Sequence, residues 1–86
     1  MNINDLISIV KDKLTKKLKI EYIKIEDKSF LHKKHSGHEK GKYHLKLSIN
    51  SKELKQLNRI ESNKKIYKIL QDEMTHHIHS LQILIN

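Results

Sequence analysis

The sequence predicts an α+β protein: a two-layer sandwich in which a three-stranded mixed sheet carries its helices on one face, in the order α-β-β-α-α-β. Apolar residues recur at three- and four-residue steps near the start and again after residue 62, and they alternate in short segments elsewhere. At 86 residues the chain accommodates one domain, 1–86, with one modest core and no large active-site cleft.

Ile3, Leu6, Ile7, Val10, Leu14 and Leu18 form the stripe of an amphipathic helix, with Asn2 or Asn4 as its N-cap. From Ile20 to Asp27 the period becomes two, with Ile23 and Ile25 on one side and Tyr22, Lys24 and Glu26 on the other, which predicts a half-buried strand. Residues 28–41 hold His32, His35, His38 and both glycines with no apolar period, and read as an exposed loop. Alternation resumes from Tyr43 to Ile49 as a second strand, with His44, Lys46 and Ser48 on the side away from the leucines. A short helical turn is expected between Ser51 and Ile60. A firmer helix follows from about Ser62, its candidate cap, through Ile66, Ile69, Leu70 and Met74. Ile78 to Ile85 is the third strand, and strict alternation puts His79 on the side of Leu81, Ile83 and Ile85.

Charge is concentrated in the middle. Residues 28–65 carry eleven Lys/Arg against Glu39, Glu53 and Glu61, an excess equal to the +8 of the whole chain. Such a segment attracts phosphate backbones, acidic lipids or an acidic protein, and its bland reading is a solvated lysine-rich surface. Arg59 is the only arginine, which argues against sequence-specific reading of guanine.

The seven histidines are the main chemical clue. They fall near the first loop (His32, His35, His38, His44) and near the third strand (His76, His77, His79), and imidazole binds zinc, copper, nickel and iron and titrates near neutrality. Solvent-facing decoration is the plain alternative, and for His79 so is a satisfied histidine at the core margin. With no cysteine, the chain by itself completes neither a thiolate zinc site nor an iron-sulfur site. No serine sits in a nucleophile elbow, Gly37 and Gly41 fit no phosphate loop, and the adjacent Glu26 and Asp27 point to opposite faces of a strand. An enzyme is the least expected class, and no apolar run suggests a membrane span or signal peptide.

The segment Asp27-Lys-Ser-Phe-Leu-His32-Lys-Lys-His35-Ser-Gly37 resembles the BolA family's Asp-x-Ser followed by H-x-x-H-x-G. His44 to Ser51 is similar to that family's second strand, Ile66 to Met74 to its long helix, and Ile78-His79-Ser80-Leu81 to its Val-His-Ala-Leu segment. The likeness covers residues 3–85. It implies a type II KH-like domain and partnership with a monothiol glutaredoxin, in which a bridging 2Fe-2S cluster takes imidazole from this chain and thiolates from glutaredoxin and glutathione. Residue by residue it implies His79 as one ligand and His32 as the second, with His35 as substitute. The chain departs from the family pattern with Ser62-Asn63-Lys64 at the long helix, with Leu54 and Gln56, and with no G-x-x-G between helices.

The first functional expectation is therefore a non-catalytic glutaredoxin partner in iron-sulfur assembly, delivery or iron regulation, a monomer or weak homodimer when alone. The second is a DNA-binding regulator using Lys33, Lys34, Lys52, Lys55, Arg59, Lys64 and Lys65 on the KH-like surface. A histidine-only zinc or copper site is the third. The expected location is the bacterial cytoplasm, because the first helix follows Met1 almost at once, with a processed mitochondrial form as the alternative.

Overall fold

The computed structural model describes residues 1–29 and 42–86. Its elements are α1 (Ile3–Lys17), β1 (Tyr22–Asp27), β2 (Tyr43–Asn50), α2 (Lys52–Lys55), α3 (Arg59–Ile69), α4 (Gln71–His76) and β3 (Ile78–Ile85). The sheet order is β1-β2-β3. β1 pairs antiparallel with β2, and β3 pairs parallel with β2, so the sheet is mixed as predicted. A parallel neighbour needs a long crossover, which α2, α3 and α4 supply.

Leu6, Val10 and Leu14 are buried along one face of α1, four residues apart, and Leu18 closes the stripe just beyond the helix. They meet Leu45, Leu47 and Ile49, the inward face of β2, together with Leu54, Ile66, Leu70, Ile78 and Leu81. β2 is the central strand, and four of its side chains, His44, Leu45, Leu47 and Ile49, are buried. Asn2 caps α1 by accepting from the Asp5 N–H at 2.8 Å, which decides between the two candidate caps.

Within the crossover the short helix is present as α2, and the long helix expected from about Ser62 is instead two helices, α3 and α4. α3 starts at Arg59, three residues early, because Asn58 accepts from the Glu61 N–H at 2.8 Å and so acts as the cap. Ser62 is not a cap: it is buried within α3 and its hydroxyl donates to the Arg59 carbonyl at 3.1 Å. The helix then breaks at Leu70, whose ψ of 20° leaves the helical range, and α4 continues from Gln71.

Polar groups tie separate elements together at two places. At the β2–α2 corner the buried Ser51 hydroxyl donates to the Lys19 carbonyl at 2.6 Å and also accepts from Leu54 N–H. Glu53 accepts from the Lys19 N–H and from Lys65 Nζ, and these two donors hold its carboxyl below the usual carboxylate range, Lys65 contributing most. Behind the core, Lys13 Nζ donates to Glu73 Oε2 at 2.7 Å. Glu73 is buried, and the hydrogen bond to it raises the Lys13 pKa.

Leu47→Ala is expected to cost about 2–5 kcal/mol, read from urea unfolding, because it opens a cavity under the central strand. Glu53→Gln is expected to lower stability at neutral pH. The lowered pKa of Glu53 means its contribution is present above the ordinary carboxylate range and is lost as pH falls through the folded value. The difference between wild type and Glu53→Gln in thermal melts therefore shrinks on acidification through the carboxylate range.

Candidate functional site

The side chains that could carry chemistry gather where β2 and β3 begin. Along β3 both Ile78 and Leu81 are buried, although they are three residues apart and a regular strand repeats every two. The conflict is resolved by a register shift: Tyr43 faces Ile78, but His44 faces Ser80, so His79 is an extra residue on β3. This is a β-bulge, a device that re-aims a side chain. The expectation that His79 shares the side of Leu81, Ile83 and Ile85 is thereby corrected. His79 is exposed, and its ring lies against the His44 ring, with centroids 4.8 Å apart and planes inclined at 59°.

His44 is held from several sides. It is only 6% exposed, and its Nδ1 lies 2.6 Å from the Ser80 hydroxyl. Its backbone N–H donates to Ser29 Oγ at 3.0 Å, and its carbonyl accepts from the Lys28 N–H at 2.7 Å. Ser29 is set in turn by its own N–H, which donates to Asp27 Oδ1 at 2.9 Å. Asp27, Lys28 and Ser29 thus form an Asx turn that fastens the end of β1 to the start of β2, beneath the two imidazoles. The physical meaning of the Asp-x-Ser pattern is this fastening.

Glu26 stands on the same open face of the sheet, between Lys28 at 2.7 Å and Lys24 at 3.3 Å. Both ammonium groups lower its pKa, Lys28 the more. His76 and His77 follow one another at the end of α4, their rings 6.2 Å apart. Among the described residues no three histidines or carboxylates come together as a metal site.

Of the residues singled out in the sequence, His79 is therefore exposed beside a second imidazole. His32, His35, Lys33 and Lys34 lie outside the described residues. Lys52 and Lys55 are exposed on α2, and Arg59 and Lys64 are exposed on α3. Lys65 belongs less to an open cationic surface than expected, because it is bonded to Glu53 at 2.9 Å. His44 was not among the expected site residues. Alternation places it on the open face, but its approach to His79 depends on the parallel register and the bulge.

Comparison with known proteins agrees with this architecture. A family model described as BolA-like protein matches residues 14–86. The DNA-binding transcriptional regulator BolA of Haemophilus influenzae is 31% identical over 75 residues, which cover 87% of this chain and 70% of that protein. Among solved structures, the BolA domain of SufE1 from Arabidopsis thaliana superposes with a TM-score of 0.77 at 29% identity, over 92% of this chain and 87% of that one. BolA1 from the same plant gives 0.76 at 28% identity with the same coverage. A bol-like protein from Babesia bovis, at 18% identity, shares the fold with a TM-score of 0.70 over 91% of this chain and 79% of its own. With a matching fold and a matching family model over most of its length, this chain belongs to the BolA family.

Proposed function

We propose that this protein is a non-catalytic partner of a monothiol glutaredoxin and contributes imidazole ligands to a 2Fe-2S cluster shared between the two. The observation that carries the reading is His79: a bulge turns it out of the sheet's inward row, and it is exposed beside a buried, tethered imidazole. A residue aligned for packing would have stayed in the row of Leu81 and Ile83.

The donor chemistry fits a shared site. The chain has no thiol, so it supplies nitrogen only, and His79 is accessible to a second protein. His44, with Nδ1 engaged by Ser80, acts as backing that orients the His79 ring, as groups behind a metal ligand do. His32 and His35 are the candidates for the second ligand. They follow Ser29 in sequence by three and six residues, and the Ser29 hydroxyl is bonded to the His44 backbone. A cluster with mixed imidazole and thiolate ligands carries an electron at a higher potential than an all-thiolate one.

A second reading has its own support: the Haemophilus influenzae relative is described as a DNA-binding transcriptional regulator, and Lys52, Lys55, Arg59 and Lys64 are exposed on α2 and α3. Contacts of this kind are electrostatic and fall with added salt.

Mixing the protein with a cluster-loaded monothiol glutaredoxin is expected to give a heterodimer with altered cluster absorption and circular dichroism. His79→Ala is expected to abolish the change and His76→Ala to leave it intact. An unchanged spectrum with His79→Ala refutes the ligand assignment. For the second reading, Arg59→Gln is expected to weaken duplex DNA binding and to reduce the slope of log affinity against log salt by about 1. An unaltered slope removes Arg59 from any DNA interface.

A further inference from the structure

We propose that the outer edge of β3, at the end away from His79, is a strand-addition site for an extended segment of a partner protein in which apolar side chains alternate with carboxylates. The two edges of the sheet differ in kind. β1 carries Lys24, Glu26 and Asp27, and charges on an edge strand discourage pairing with other chains. β3 is eight residues long and has no charged residue and no proline. It lies at the end of the sheet, so one side of its backbone meets no neighbouring strand among the described residues.

Which backbone groups face outward follows from two hydrogen bonds. The Asn86 N–H donates to the Ile49 carbonyl on β2, so even-numbered residues at this end point inward to the sheet. The Leu81 carbonyl accepts from the Tyr67 hydroxyl of α3 at 3.3 Å, so odd-numbered residues point outward. The two observations agree. Tyr67 covers the edge at Leu81, and beyond it the N–H and C=O groups of Ile83 and Ile85 are directed away from β2.

A groove of about 400 Å³ runs along this stretch, between Ile83, Leu84 and Ile85 on one side and the α2–α3 corner on the other. Leu54 and Leu57 give it an apolar wall, and Lys55, Arg59 and Asn63 supply polar groups. Leu84 is 45% exposed beside it. An extended segment bonded to Ile83 and Ile85 sends alternate side chains to opposite faces, so one set reaches the apolar wall. Charge decides the occupant. Lys55 and Arg59 are exposed cations, and a second copy would bring the same two cations and a net charge of +8, whereas a segment bearing Glu or Asp complements them. This site is independent of the histidine corner, which lies at the opposite end of the same strand.

The test is amide exchange on the ¹⁵N-labelled full chain, with a capped peptide of alternating Val and Glu as probe. Saturation is expected to slow exchange of the Ile83 and Ile85 amides by about tenfold or more, as for newly paired strand amides. The amide of Lys28, in the histidine corner, stays unchanged. Arg59→Gln, an exposed change at the helix start, is expected to weaken peptide binding by about threefold. The same peptide N-methylated at alternate amides is expected not to bind. Three outcomes overturn the proposal: equal binding of the N-methylated peptide, protection that depends on protein concentration without peptide, which makes a second copy the occupant, or shifts produced at these amides by an oligonucleotide and not by the peptide.

Discussion

The structure depends on a packing constraint at the start of β3. Ile78 must fill the core at the end of the crossover, and Leu81 must enter the same core from the strand. Three residues separate them, and a regular ladder cannot point both inward. The chain resolves this by adding His79 as a bulge residue, which lets both apolar side chains enter the core, a burial that stabilises by on the order of 1.5–3 kcal/mol each. The exposed imidazole is thus a consequence of how the core is filled.

From that constraint the rest of the corner follows. With His79 displaced, Ser80 comes opposite His44 and engages its Nδ1, and the two rings meet. The Asx turn at Asp27–Ser29 secures His44 through its backbone from the β1 side. Every group beneath His79 is fixed by the sheet, while His79 itself remains accessible. Under the proposed function, a side chain backed in this way is oriented before a partner arrives, which limits the ordering cost of a shared site. The same strand ends in an uncharged edge, so β3 presents one polar and one apolar surface to other molecules.

Much of the fold was legible in the sequence, because period reports burial directly. The α1 stripe, the inward row of β2 and the limits of β3 follow from spacing alone, and Leu6, Val10, Leu14, Leu45, Leu47 and Ile49 are buried where the pattern puts them. The less legible features are those in which local chemistry competes with period. Asn58 outbid Ser62 as the cap of α3 through its side-chain acceptor, and the break at Leu70 has neither glycine nor proline to announce it. The bulge was written in the sequence, in the three-residue step from Ile78 to Leu81, but strict alternation from Leu81 backward hides it. His44 became recognisable as a neighbour of His79 only through a pairing between residues 35 positions apart. No helix among the described residues is long and apolar enough to cross a membrane.

The most direct test is a nuclear Overhauser spectrum of the chain labelled in its histidine rings and in its leucine, isoleucine and valine methyls. A bulged β3 predicts cross-peaks between the His79 and His44 rings and none from the His79 ring to the methyls of Leu6, Val10 or Leu47. Cross-peaks from His79 to those core methyls, with none to His44, would mean an unbroken register with the imidazole facing inward, and would contradict the account at its root.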